Sequence, residues 1–219
     1  NAGATTYSAC RADEILFDGI RARGIVAQTD GGGSVTVEAP IVIVACGAVQ
    51  TPLFMLRQGL AGASGQLGHN LTIHPATAVL ALMDEIVDMA VGVPQSYYID
   101  EFAREGIMLE GAGGPPEYVA TLLPFSGDRH RELMLQYRNI AQFGMMVSEV
   151  SRGHVTIKGG QPVVFYQVED ADIKSIKRGI ELLAELFSAA GARRILLPLR
   201  RRPEVVPGEL DALRAAEIS

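Results

Sequence analysis

The feature that most constrains this fold is a nine-residue apolar stretch, Ile41–Val49, which opens on the unbroken β-branched run Ile41-Val42-Ile43-Val44. A run that does not alternate asks for cover on both faces, the mark of a strand buried inside a sheet. It passes into the small residues Ala45-Cys46-Gly47-Ala48, with Cys46 expected as a buried thiol. Thr51-Pro52 then opens a helix. Thr suits the N-cap, and Pro suits the first helical position, where its missing N–H would be unpaired anyway. Leu53, Leu56 and Leu60 line one face of that helix, and Gly59 and Gly62 end it. The expectation is a buried strand, a small-residue turn and a helix.

The flanking segments are of two kinds. Before the run, Glu14–Phe17 and Ile25–Ala27 are strand-like pieces joined by Asp18-Gly19, a hairpin signal. A Gly31-Gly32-Gly33 turn leads into Ser34–Glu38, where Val35 and Val37 share one face. After the run, strands are expected at Thr77–Met83, Ser96–Tyr98, Ile107–Glu110, Phe143–Val150, His154–Ile157 and Val163–Val168. Helices are expected over Glu117–Leu123 and Asp128–Asn139. Asp170 caps the strongest helix, with Ile173, Ile176, Ile180, Leu183 and Phe187 as its apolar stripe and Gly191 as its stop. Strands joined by short turns, followed by a helix, imply a mostly antiparallel sheet covered on one face. The fold class is therefore α+β, with the boundary between two domains near Leu71–His74: residues 1–73 and residues 74–219.

Composition removes several functions. A formal charge of −6 argues against nucleic acid, which selects basic faces. The one basic cluster, Arg193-Arg194 and Arg200-Arg201-Arg202, reads as a solvated helix exit. Two cysteines and four histidines show no CxxC, HxH or HxxxH spacing, so no metal site is expected. The longest apolar stretch is far short of a bilayer span. The start at Asn1-Ala2 reads as a scar of tag removal, no signal-peptide pattern follows it, and a cytoplasmic location is the default expectation.

A strand, a small-residue turn and a helix N-terminus let a nucleotide approach backbone, with free N–H groups and the positive dipole end at hand. Most such turns bind nothing. The residues around this one are more specific. Val44-Ala45-Cys46-Gly47-Ala48-Val49-Gln50-Thr51-Pro52, an apolar helix and Gly59-Leu60 resemble the second signature of the glucose–methanol–choline (GMC) flavoprotein family. Gln58 stands where that signature usually has Ser. Leu67-Gly68-His69-Asn70-Leu71-Thr72-Ile73-His74-Pro75 resembles the family's Val-Gly-x-Asn-Leu-x-Asp-His-Pro, with Ile73 at the Asp position. Ser151-Arg152-Gly153-His154-Val155 resembles a Ser-x-Gly-x-Val step, and Val93–Tyr98 resembles the branch with long-chain alcohol oxidases.

The resemblance implies the middle part of an FAD-dependent oxidoreductase that acts on the CH–OH group of an alcohol. Residues 1–73 would be a partial FAD-binding unit of meander, strand and helix. Residues 74–219 would be a substrate domain whose sheet forms the wall over the flavin. Met108, Leu109, Phe143, Met145 and Met146 would suit an apolar alcohol, although a Met-rich stripe is more often core. As carried over, Ala12 would touch the adenine by backbone, Ala45, Cys46, Gly47 and Ala48 would pass the adenosine and phosphate, and Asn70 would lie near the flavin. Asn70 reads equally as a turn-forming amide, and His74 as a turn residue rather than a catalyst. The family's Gly-x-Gly-x-x-Gly fingerprint does not occur in this sequence, and no histidine matches its catalytic segment. The chain alone is thus expected to be inactive, to retain no FAD, and to self-associate through an uncovered face. The rival reading is a non-enzymatic remnant or split-chain interaction module.

Overall fold

A computed structural model describes residues 3–60, 62 and 64–211, which form two compact units. The first comprises residues up to Leu71 together with Arg152–Gln167, and the second comprises Thr72–Ser151 and Val168 onward. The Asn1-Ala2 start lies outside the described residues.

In the first unit, β1 (Cys10–Asp18), β2 (Arg21–Thr29) and β3 (Ser34–Glu38) form the antiparallel meander that the turn signals require. Gly24 is buried in β2 because a Cβ there would run into the Val37 carbonyl of β3. At the second turn the Gly33 N–H donates to Thr29 Oγ1 (3.0 Å), and Gly32 takes a φ of +80° that other residues disfavour.

Ile41–Val44 is not a strand. It is an unpaired extended segment in which Ile41 is 76% and Ile43 85% exposed. A β-branched run states a preference for a sheet interior but supplies no neighbouring strand, and none of the described residues pairs with it.

The helix also begins earlier than expected: α1 spans Gly47–Arg57, with Cys46 at its N-cap and Pro52 inside it. Gly47 itself has a φ of +88°, so regular helical geometry starts at Ala48 and Pro52 is the fifth residue of that run. A Pro there forgoes only about the first hydrogen bond the helix could make. Thr51 turns backward, its Oγ1 accepting the Cys46 N–H (3.0 Å), instead of capping the helix from in front. Cys46 is exposed rather than buried, because it sits at the helix start and not in a sheet.

Helix α1 packs on a three-stranded sheet of order β10-β9-β4, formed by β4 (His69–Leu71), β9 (Gly153–Lys158) and β10 (Gln161–Phe165). Leu53, Leu71 and Val155 are buried there. Gly68 permits the approach: its φ is +81°, its carbonyl accepts the Val155 N–H (2.7 Å), and a Cβ would collide with the Val155 carbonyl. The sequence reading places residues 74–219 in one domain, whereas the β9–β10 hairpin packs with the first unit.

The second unit is a six-stranded, wholly antiparallel sheet of order β12-β11-β5-β8-β7-β6. Its strands are β5 (Ala76–Leu82), β6 (Tyr98–Ile99), β7 (Ile107–Gly111), β8 (Ile140–Val147), β11 (Arg194–Leu196) and β12 (Glu204–Val205). Helix α4 (Asp170–Ala189) covers one face, burying Ile180, Leu183 and Phe187 against Val79, Ala81, Leu109 and Met145. Gly179 brings it close, since a Cβ there would meet the Met145 side chain. Ile173, the first residue of the expected stripe, remains 38% exposed. Helices α2 (Pro116–Leu122) and α3 (Gly127–Met134) cover part of the opposite face over Leu80, Leu82, Ile140 and Leu196. Cover on two faces, instead of one, follows from these short helices. Strands β11 and β12 were not anticipated. Their Arg194 and Glu204 pair at 2.9 Å, and Glu204 also accepts from Arg129 of α3 at 2.7 and 2.9 Å. The hydrogen bond to Glu204 is the main reason the Arg129 guanidinium is held above its ordinary value.

Candidate functional site

The six residues singled out as cofactor contacts all fall in the first unit. Ala45, Cys46, Gly47 and Ala48 form an exposed turn at the start of α1. Apart from Thr51 Oγ1 on the Cys46 N–H, no side chain among the described residues takes an N–H of this helix start, the positive end of the dipole. A Cβ built at Gly47 meets nothing within 4 Å, so the space over that backbone is open. Ala12 lies half-buried in β1, opposite Ala27 and beside a bulge at Asp13 that breaks the register before Glu14.

What ties β1 to α1 is Gln58, the C-cap residue of the helix. Its Oε1 accepts the Ile15 N–H at 2.7 Å, while its Nε2 donates to the Phe54 carbonyl at 3.2 Å. A Ser side chain is too short for both bonds, which gives a structural meaning to the Gln at this motif position. The contact is at the far end of α1 from Ala45–Ala48, about 16 Å away along an 11-residue helix. The direct link to β1 therefore runs through the C-terminal end of α1, not through the turn.

Asn70 sits in β4 with a φ of +59°, at a bulge between His69 and Leu71, and its Nδ2 donates to Gln66 Oε1 at 3.0 Å. These are the features of a turn-forming amide. His74 likewise has a φ of +59°, and its N–H, with that of Ile73, donates to Glu149 Oε1. His130 is a packing residue whose Nε2 lies 3.0 Å from the Ala120 carbonyl. The other two histidines form an arrangement that spacing could not reveal. His69, His154 and Phe165, on three adjacent strands, stack in a row with ring centroids 6.0 and 4.7 Å apart. Cross-strand register alone creates it.

In the second unit, register also sorts the Met-rich residues. Leu109 and Met145 face α4 in the core, whereas Met108 and Met146, paired with each other, face the opposite side. Among the described residues no group of three or more His, Cys, Asp or Glu could hold a metal ion. No helix among them is long and apolar enough to cross a membrane.

With this geometry in place, comparison with known proteins is informative. Residues 1–76 match the GMC oxidoreductase family model. An uncharacterized GMC-type oxidoreductase of Mycobacterium tuberculosis is 34% identical over 222 residues, covering 98% of this chain. The chain is thus similar to GMC-type oxidoreductases along nearly its whole length. A long-chain-alcohol oxidase of Arabidopsis thaliana is 24% identical over 204 residues, covering 85% of this chain and 27% of that protein. A crystal structure of formate oxidase superposes with a TM-score of 0.58 at 12% identity, over 84% of this chain and 43% of that one. The mostly antiparallel α+β architecture is thus shared with that structure. The chain spans about a third of the length of the M. tuberculosis GMC relative, 34% of it.

Proposed function

We propose that this chain supplies part of the FAD site and the substrate-selecting sheet of a flavoenzyme that oxidises an alcohol. The observation that carries the reading is the GMC match over 98% of the chain at 34% identity. Its physical support is the open backbone at Ala45–Ala48, which fits a nucleotide because, among the described residues, nothing stands over Gly47 and no side chain takes the first-turn N–H groups beyond Cys46. In this reading Ala12 meets the adenine by backbone, Ala45–Ala48 border the adenosine and phosphate, and Asn70 holds the loop near the flavin half. FAD, when bound, supplies the hydride acceptor for the CH–OH carbon. The contribution of these residues is to bind and orient, since no histidine of this sequence matches the family's catalytic segment.

The test uses the protein expressed together with its adjoining coding sequence. A yellow, flavin-bearing product whose absorbance bleaches on anaerobic addition of 1-octanol is the expected result. A product that takes up no flavin overturns the reading. A second reading, an interaction module, is favoured by the exposed Ile41 and Ile43. It predicts that the same product stays colourless and elutes as a complex.

A further inference from the structure

On the face of the six-stranded sheet away from α4, the cover given by α2 and α3 does not reach the whole surface. Beyond it lies a recess of about 370 Å³, within the range of small-molecule sites. Ala76, Ala78 and Gly144 make its floor, Tyr118 and Leu122 an apolar side, and Glu110 an acidic edge. The floor is low by construction. Ala78, Gly144 and Glu110 are cross-strand partners in one row, and two of the three carry almost no side chain.

Gln142 lines the same recess, two residues from Gly144 and on the same face of β8. It is 2% exposed, yet among the described residues its side-chain Oε1 and Nε2 have no hydrogen-bond partner. Buried amides are nearly always paired, and an unpaired one costs roughly what a lost hydrogen bond costs. Its neighbours in the sheet do not need it: Leu80, directly opposite, is apolar core. The other amide of the lining, Gln95, is paired, its Nε2 donating to Glu110 Oε1 at 3.2 Å, so the unpaired Gln142 amide at the wall of this small-floored recess has the character of a group awaiting a ligand. Its terminal torsion is broad, so the amide plane can turn to meet one.

We propose that this recess binds an uncharged apolar molecule through a hydroxyl group, and that Gln142 recognises that hydroxyl. An amide offers one acceptor and two donors, and a hydroxyl answers both by donating to Oε1 and accepting from Nε2. An ether or a ketone can only accept. A carboxylate would share the recess with the Glu110 carboxylate and is disfavoured. The proposal deepens the reading above and rests on it for the choice of an alcohol. Gln142 is in this account a specificity residue, with no part in proton or hydride transfer.

The test is binding, separate from oxidation. The chain, labelled with ¹⁵N, is titrated with 1-octanol and with its isomer 1-methoxyheptane, which has the same atoms but no donor. Saturable shifts of the Gln142 side-chain NH₂ and the Gly144 amide are expected, with 1-octanol bound about tenfold more tightly. Gln142→Leu fills the same wall with an apolar group, and the preference should collapse toward unity while the apolar body still binds. Absence of a saturable shift in the unaltered chain overturns the proposal without any variant. So does an equal affinity for the two isomers, or a preference that survives in Gln142→Leu. A recess that binds octanol beside a flavin that octanol never bleaches would sink the oxidoreductase reading alone. Bleaching without a Gln142 response would sink this one alone.

Discussion

At the scale of single residues, Asp172 ties two distant segments of the second unit together. It is 2% exposed near the start of α4, and its Oδ1 and Oδ2 accept the Val150 and Ser151 N–H groups at 2.9 Å each. The Ser151 hydroxyl also donates to Oδ2, and Ser151 Oγ in turn accepts the Glu169 N–H at 2.9 Å. The carboxylate thus clamps the end of the segment after β8 to the first turn of α4, where negative charge also suits the helix dipole. Asp172→Asn replaces one acceptor oxygen by a donor that faces N–H or O–H groups. Hydrogen bonds to a charged group contribute about 1.5–3 kcal/mol each to stability, and an unpaired buried donor adds to the loss. The expected outcome is a drop of about 3 kcal/mol in urea-denaturation stability. The meander of the first unit is expected to keep its amide spectrum. A loss below about 0.5 kcal/mol, the range of ordinary surface substitutions, would show that Asp172 does not hold this corner. Nothing in the sequence marks Asp172 beyond its place in a first turn. Its importance comes from what the chain brings back from 21 and 22 residues earlier.

At the scale of elements, the sequence was most legible where a local signal and its partner lie close together. Asp18-Gly19 and Gly31–Gly33 set the meander because each turn joins strands that are adjacent in the chain. The stripe of α4 is readable because 3.6-residue periodicity is intrinsic to the helix. Strands β4, β11 and β12 were missed for the opposite reason. They are two or three residues long, too short to show alternation, and β11 exists only through its pairing with β5 and β12. Ile41–Val44 shows the remaining failure, a strong local preference with no strand to pair with among the described residues. No backbone hydrogen bond involves the amides of Ile41–Val44 among those residues, so they should exchange with solvent within seconds while β2 and α1 stay protected. Exposed Ile41 and Ile43 each forgo about 1.5–3 kcal/mol of burial. Self-association through this segment is the expected response, to be checked by light scattering on the eluting peak. Ile43→Lys should return the chain to a monomer. A monomer from the outset, with slow exchange across 41–44, would mean that the segment is already covered within a single chain.

At the scale of the whole molecule, the question is how much of a flavin site these residues can make. In the proposed site the open Ala45–Ala48 turn, the Ala12 backbone and the Asn70 loop would be three partial contacts. Two of them are only backbone, and the third has its side-chain amide already committed to Gln66. The pyrophosphate is the most highly charged part of the cofactor, and a dinucleotide fold meets it with a Gly-x-Gly-x-x-Gly turn at a helix N-terminus. This sequence has no such turn. Tight binding needs a site largely formed in advance, because association costs several kcal/mol of lost motion before any contact contributes. Three incomplete contacts cannot be expected to exceed that cost by about 8 kcal/mol, the free energy of a micromolar complex. Calorimetric titration of the 219-residue chain with FAD should therefore show no binding tighter than about micromolar. AMP should bind about as weakly as FAD, since in the proposed site only the adenosine end would meet built surface. If FAD bound far more tightly than AMP, the phosphate and isoalloxazine would have partners in this chain that the Ala45–Ala48 turn does not provide. The site would then have to be sought elsewhere in the chain, with the stacked His69, His154 and Phe165 as the first residues to replace.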